Sequence, residues 1–457
     1  MTADLKGKRV LVIGSGLSGV GSVKLLDQIG ALPVMLEENT KVTEEDIRKK
    51  LYEEDRDKTE IIIGEITDDT LNSISLVVQS PAVPLDSPTV MRIKALNIPI
   101  WSEIELAYNF SKGTMVAITG TNGKTTTTTL VGEIMKAHYE SVYVVGNIGV
   151  SFAENALGMR DDTVIVGEIS SFQLEAVDNF HAKVSAILNI TPDHLNRHHT
   201  MECYASMKEN ITNKQTAEDT CVLNYDNEYT RNFGKRCPSK VVFFSTKEEL
   251  KDGFFIDGDN IVMANGGSKT VIMNIHDMNL VGLCNVENVM AAIAMSLAMG
   301  VPLSTILEVI RNFKAVEHRI EFVATKRGVD YYNDSKGTNP DAAIQGIKAM
   351  SKPTILIGGG YDKGSEYDEW LECFGDTVKL LVLIGQTKEK IAECAEKHGF
   401  TNYVFKDTYE EALEFCTKSA QPGDAVLLSP ACASWDMFPS YEVRGKKFKE
   451  YVNKLAE

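Results

Sequence analysis

The sequence predicts an α/β protein divided into three domains. Short apolar runs recur between helix-like stretches along the whole chain, which is the pattern of parallel strands joined by crossover helices. At 457 residues the chain exceeds what one hydrophobic core organises, so two or three domains are expected. No repeat of roughly 20 to 50 residues runs through it, which sets a solenoid aside.

The elements follow in order. VLVIG is a first strand; a helical stretch over 19–29, the strand PVMLE, a charged helix over 43–56, and the strands EIIIG and LVVQS complete the opening alternation. IPIWSEIEL, residues 98–106, reads as a last strand running into a helix, which puts the first boundary near residue 101 and the first domain at 1–100. A second unit, 101–315, begins with MVAIT, continues through VYVVG, TVIVGE and VSAILNI, and closes with the helical patterns VENVMAAIAMSLAMG and STILEVIRNF. The third, 316–457, contains VDYYND, TILIGGG, LLVLIG and AVLLS, each followed by helix-like sequence.

Composition excludes several function classes. A net charge of −17 argues against a nucleic-acid surface, because phosphate backbones need clustered Lys and Arg. Small anions remain compatible, since a few local lysines and backbone N–H groups suffice to hold them. No apolar run approaches the roughly 18 residues of a membrane span, and the longest candidate, 289–301, is interrupted by Ser296. The chain enters a strand pattern at once, with no long apolar leader, so a cytoplasmic protein without membrane insertion is expected. Eight cysteines without a C-x-x-C pair encode neither a zinc ribbon nor a disulfide framework and read as free thiols.

VAITGTNGKTTTTTL, residues 116–130, carries the chemistry of the second domain. An apolar strand, a glycine loop and a helix start coincide, so backbone N–H groups and the helix dipole would face phosphate oxygens. Gly120 and Gly123 allow close approach, with Thr121 and Asn122 between them; Lys124 would reach terminal phosphates, and Thr125 or Thr126 would ligate Mg²⁺. A Walker loop places a glycine five residues before Gly123, where this chain has Ile118, so motor and signalling NTPases match poorly.

The first domain has its own loop. Gly14-Ser-Gly16-Leu-Ser-Gly19 fits G-x-G-x-x-G after a strand, and Glu37 closes the second strand, so an NAD-binding Rossmann domain is a legitimate reading. The motif itself reads a pyrophosphate rather than nicotinamide. His194, His198 and His199 have spacing compatible with a local metal site, though no cysteine accompanies them.

T-G-T-N-G-K-T-T resembles the ATP loop of the Mur ligases and their folylpolyglutamate synthase relatives. GNIG at 146–149, GEISSFQLE at 167–175, NITPDHLNRH at 189–198 and Y-x-x-x-K at Tyr204 and Lys208 follow in that family's order. NDSKGTNPDA, GGGYDKG and SPACASWDMF are similar to the subgroup that adds D-glutamate, and the likeness extends over nearly the whole chain. It implies three domains: Rossmann-like, central P-loop ATPase-like α/β, and Rossmann-like again. It also implies ATP-dependent joining of D-glutamate to UDP-N-acetylmuramoyl-L-alanine through an acyl phosphate, in peptidoglycan precursor synthesis.

The resemblance assigns residues to these roles. Lys124, Glu168, His194 and Lys208 would be catalytic, with Thr125, Glu168, His194 and Lys208 serving two Mg²⁺ ions. Lys208 would do so as a CO₂-derived carbamate, because a cationic lysine repels the metal; a solvated lysine is the plain alternative. His198 and His199 are expected at the surface or at a helix start. ATP would meet Gly120, Thr121, Asn122, Gly123, Lys124, Thr125, Thr126, Asn285, Asn288, Arg319, Asp334 and Lys336. Cys284 stands where the family often has histidine. The UDP-substrate would meet Leu17, Ser18, Glu37, Ser80, Asn147 and Ser170, and D-glutamate Lys336, Thr338, Lys363, Ser434 and Tyr441. Tyr441 reads equally as a core tyrosine. A monomer with open and closed forms is expected, and a nucleotide-regulated binding protein is the remaining non-enzymatic alternative.

Overall fold

The structure, a computed structural model, describes residues 4–456. Two compact units form, one from Met1–Met273 with Val289–Ile310, the other from Asn274–Asn288 with Arg311–Glu457.

In the first unit, β1 (Arg9–Ile13), β2 (Leu32–Glu37), β3 (Glu60–Ile63), β4 (Leu76–Gln79) and β5 (Ile100–Ser102) form a parallel sheet in the order β3-β2-β1-β4-β5. The chain steps outward from β1 to β3 and then returns to the other side of β1. The loops after β1 and β4 therefore part at a topological switch point, where open α/β sheets collect ligands. Side chains alternate between two cores, with Val10 and Val12 on one face and Leu11 and Ile13 on the other, as strand pleating requires. The helix expected over 43–56 is shorter. Thr43 and Asp46 close a capping box at Glu44–Lys50, and Leu51, buried in extended conformation, ends it before a short turn at Glu53–Asp55.

The second sheet has nine strands. Its functional half comprises β6 (Thr114–Thr119), β7 (Val142–Gly146), β8 (Val164–Glu168) and β9 (Val184–Ile187), all parallel in the order β9-β6-β8-β7. It continues through β10 (Thr220–Asn224), β11 (Lys240–Ser245), β12 (Gly253–Asp257), β13 (Asn260–Asn265) and β14 (Ser268–Asn274). These five lie beyond the expected elements. β12 and β13 pair antiparallel through a tight turn at Gly258, which frees the edge from needing crossover helices.

The second unit holds β15 (Glu321–Lys326), β16 (Val329–Asn333), β17 (Thr354–Gly358), β18 (Val378–Leu383), β19 (Tyr403–Phe405) and β20 (Ala425–Leu428), in the order β15-β16-β20-β17-β18-β19. β20 is parallel to both of its neighbours, so the loops that follow β16, β17 and β20 leave the same edge side by side. Ala425 and Leu427 face one core and Val426 and Leu428 the other, which covers both faces with helices.

Candidate active site

The glycine loop between β6 and the helix Lys124–Lys136 is held from the side by the chain following β9. Thr121 N donates to Asn189 O at 2.9 Å, and Asn122 N to Asn189 Oδ1 at 2.8 Å. Asn189 Nδ2 donates to Asn122 O, and Thr191 N to Thr121 Oγ1. Gly123 caps the helix at φ 83°, a left-handed conformation that a side chain would strain. Lys124 Nζ curls over the loop, donating to Gly120 O and Thr121 O at 2.8 Å each, so its charge is centred on the backbone cradle. Thr125 and Thr126 are buried in the first helical turn.

Glu168 ends β8 in register with Ile118 of β6, which brings its carboxylate to the strand edge beside the loop. It is buried; Oε1 accepts from Asn147 Nδ2 at 3.0 Å, while Oε2 has no hydrogen-bond partner among the described residues. An orphaned buried carboxylate oxygen is costly unless something charged meets it. The donor set here, a carboxylate with nearby threonine hydroxyls, suits a hard cation such as Mg²⁺.

Lys208 settles against the plain alternative. It is 2% exposed, on the helix Met201–Glu209 that Thr200 caps. Its Nζ donates to Gly120 O at 2.9 Å, the same carbonyl that Lys124 meets, and lies 4.5 Å from the Tyr204 ring centre. Burial, reinforced by the charge of Lys124, holds the Lys208 amine well below the usual lysine range, despite opposing help from Asp193 and Glu168. Tyr204, one turn earlier, pairs its hydroxyl with Thr121 Oγ1 at 3.2 Å.

His194 adopts a left-handed backbone at φ 54° and stacks edge-on against Phe172 at 4.9 Å, with Asp193 Oδ2 3.5 Å from Nε2. His198 departs from its expected surface position. It is buried, its Nε2 pairs with Ser171 Oγ at 3.0 Å, and its ring packs on Phe172 and Tyr204. Burial first, then the neighbouring cations, push it down to about 4, so it is a neutral packing residue. Arg197 secures this segment through a paired contact with Glu175 and a hydrogen bond to Val83 O. His199 is exposed near Asp86, as expected of a surface residue.

At the first loop, a Cβ on Gly19 would lie 2.0 Å from Gly14 O, so the helix Leu17–Gln28 can pack this closely only on a glycine. Leu17 is exposed and Ser80 borders Gly14 at the end of β4. Ser18 lies in the first turn of the helix, where its carbonyl accepts from Ser22 Oγ. Glu37 Oε2 accepts from Ser15 N and Oγ, and Oε1 from Asn39 N. Burial works to raise this carboxyl, but the Ser15 hydroxyl and the backbone donors outweigh it and hold it below the ordinary range. Ser170 spends its hydroxyl on a capping box with Gln173.

In the second unit, Lys336 Nζ donates to the Tyr441 hydroxyl at 2.9 Å, so Tyr441 is a half-buried partner of a lysine rather than a core residue. The Ser434 hydroxyl is buried without a partner among the described residues. Lys363 is exposed, 5.5 Å above the Trp435 ring, and Thr338 is half-buried on the loop after β16. Asp334 is buried; it accepts from Ser429 Oγ and Ile320 N, and burial pushes it up to about 7, beside Arg319. Asn285 and Asn288 are buried and joined by a side-chain hydrogen bond at 3.1 Å. Cys284 packs against the apolar core on one face of this sheet, which gives it a filling role.

Several positioning residues escaped the sequence analysis. Asn189 clamps the glycine loop, although it sits inside a quoted motif. Arg444, 1% exposed, joins Ser335 to Cys432 O, tying the loop after β16 to the loop after β20. No local pattern marks Arg444, because its partners are distant in sequence.

Comparison with known proteins accounts for all of these motifs together. Three family models match: Mur ligase MurD-like, N-terminal domain, over residues 8–102; Mur ligase middle domain over 118–296; and Mur ligase, glutamate ligase domain, over 318–432. UDP-N-acetylmuramoylalanine–D-glutamate ligase of Lachnospira eligens is 56% identical over 99% of this chain and 100% of its own, and that of Clostridioides difficile 45% identical over 99% and 100%. The three-domain architecture also aligns with Thermotoga maritima MurC (TM-score 0.59, 18% identity, 98% of this chain and 99% of that one). MurF ligase from the same organism, in complex with ADP, gives a TM-score of 0.58 at 18% identity, covering 99% and 97%. The nicotinamide and regulatory-binding readings fall with these matches. The chain belongs to the Mur ligase family, in its group of UDP-N-acetylmuramoylalanine–D-glutamate ligases.

Proposed function

We propose that the protein joins D-glutamate to UDP-N-acetylmuramoyl-L-alanine with cleavage of ATP to ADP and phosphate, and that the residues above divide the work as follows. The substrate carboxylate attacks the γ-phosphorus, the bond to ADP breaks, and the resulting acyl phosphate is attacked by the amine of D-glutamate, which displaces phosphate. An anion must therefore approach an anion. At about 4 Å and an effective dielectric near 20 the repulsion is roughly 4 kcal/mol, a rate penalty on the order of 10³.

Lys124 offsets that repulsion at the phosphate tail, and the N–H groups at the start of the helix Lys124–Lys136 hold it in line, those of Thr121 and Asn122 being engaged by Asn189. Thr125, Glu168, His194 and Lys208 would hold Mg²⁺, two ions in all, which supplies charge neutralisation when bound. The observation that carries this reading is the buried Glu168 carboxylate with an unpartnered oxygen one strand from Lys124. Lys208 would serve as a carbamate: its depressed basicity favours the neutral amine that CO₂ requires, and its conversion to an anion suits it to a cation. Asn285, Asn288, Arg319, Asp334 and Lys336 are assigned to the nucleotide. Lys336, Thr338, Lys363, Ser434 and Tyr441 are assigned to D-glutamate, whose two carboxylates call for lysines and hydroxyls. Leu17, Ser18, Glu37, Ser80, Asn147 and Ser170 are assigned to the UDP-substrate.

Domains of 1–100, 101–315 and 316–457, a single-chain enzyme and a cytoplasmic setting complete the proposal. Among the described residues no helix is long and apolar enough to cross a membrane. Phosphate release, measured with each substrate omitted in turn, tests the whole. Release only with ATP, UDP-N-acetylmuramoyl-L-alanine and D-glutamate together is expected; equal release without D-glutamate would contradict it.

A further inference from the structure

Away from every residue assigned above, two helices of the second unit each present a pair of ligand-type side chains at i, i+4 spacing. Asp368 and Glu372 begin and end the helix Asp368–Glu372. Cys394 lies in the helix Lys388–Lys397, and His398 caps it. Residues four apart share a helix face, so each pair is a preformed pincer. The ligand atoms of Asp368, Cys394 and His398 all lie within 4.8 Å of one another. His398 Nε2 is 2.8 Å from Asp368 Oδ1, while His398 Nδ1 is 3.8 Å from Glu372 Oε1.

We propose that Asp368, Cys394 and His398 form a binding site for a thiophilic divalent cation of the zinc class, with Glu372 orienting the histidine from behind. The chemistry of the donors selects the metal. A carboxylate alone would suit Mg²⁺ or Ca²⁺, but a thiolate and an imidazole beside it favour Zn²⁺ or Co²⁺. Tetrahedral zinc with ligands at about 2.0–2.3 Å separates them by about 3.3–3.8 Å. The Asp368–His398 pair, at 2.8 Å, must open by about half an ångström, and a pair at the 4.8 Å limit would close by about one.

The proton balance is simple. Cys394 is 9% exposed, burial and then the Asp368 carboxylate hold its thiol above the ordinary range, and that carboxylate also accepts from His398 Nε2. On binding, the cation displaces two protons: that of the Cys394 thiol leaves to solvent, and that of His398 Nε2 is passed by way of solvent to Nδ1, so the imidazole binds through Nε2 in its neutral form. Its Nδ1–H then points to Glu372, the carboxylate–histidine–metal arrangement that fixes tautomer and ring orientation. Water completes the fourth position, since Asp368 and His398 are exposed enough to admit it. The product is a staple between the two helices.

Co²⁺ titration of the full-length protein in excess Mg²⁺ tests this. A thiolate-to-cobalt charge-transfer band separates this site from the catalytic Mg²⁺ site, none of whose assigned residues carries sulfur, and Cys394→Ser separates it from the other cysteines. The band should saturate at one equivalent, vanish in Cys394→Ser and require at least tenfold more cobalt in Asp368→Asn. Zn²⁺ should displace it and raise the unfolding temperature of the parent protein but not of Cys394→Ser. Absence of the band, its survival in Cys394→Ser, or an unchanged titration in Asp368→Asn would each overturn the site.

Discussion

Lys208 shows how burial changes what a residue type can do. A lysine in water is a cation; at 2% exposure and beside Lys124 it is held toward the neutral amine. Lys208→Ala should lower kcat on the order of 10²-fold or more, the usual cost of losing one preorganised charged group, and formate or acetate should restore part of it; full activity without them would refute the carbamate. Lys363→Ala is expected to raise the KM for D-glutamate by about 10- to 100-fold, the worth of a hydrogen bond to a charged group, with the KM for ATP changed far less. Asp334 carries a pH signature. Its folded value near 7 lies above the ordinary 3.8, so between those values the folded state binds the extra proton. That contribution is fully present below about pH 4 and is lost as pH rises through 7. Asp334→Asn should flatten the fall in denaturant midpoint across this window, and an unchanged slope would remove Asp334 as its source.

At the scale of elements, buried polar groups hold loops where strands end. Glu105, fully buried on the helix Glu103–Phe110, accepts from the backbone N–H groups of Asp178, Asn179 and Phe180 and from Asn109 Nδ2. Replacing it by glutamine converts one acceptor into a donor facing N–H groups. Glu105→Gln should therefore lower stability by about 1–3 kcal/mol, the penalty of an unsatisfied buried group, readable as a lower denaturant midpoint at unchanged slope. Apolar runs made VLVIG, MVAIT and AVLLS legible as strands, since a strand buried on both faces needs nothing else. β15 and β19 were not legible. They are edge strands of half-exposed residues, and only pairing with a neighbour defines them.

For the whole molecule, ligand binding gives the clearest readout. UDP-N-acetylmuramoyl-L-alanine at about 100 times its Kd should stabilise the folded chain by about 2.7 kcal/mol, while NAD at the same concentration should leave thermal unfolding unchanged. A stabilising effect of NAD would reopen the dinucleotide reading of the first loop. The charge of −17 is compatible with anionic substrates because a few local cations suffice to hold an anion, and Lys124 over Gly120 and Lys336 beside Tyr441 are two such lysines.

The sequence alone determined the α/β class and the two glycine loops, because each rests on a contiguous stretch: strand, turn and helix start lie next to one another in the chain. The tertiary structure decided what depends on residues far apart in sequence. It buried His198, made Tyr441 the partner of Lys336, set Asn189 against the glycine loop and brought Arg444 to Ser335 across 109 positions. Local sequence fixes backbone geometry, whereas burial and charge environment are set by whatever the fold places alongside, and it is these that decide whether a lysine is a solvated cation or a buried amine held toward its neutral form.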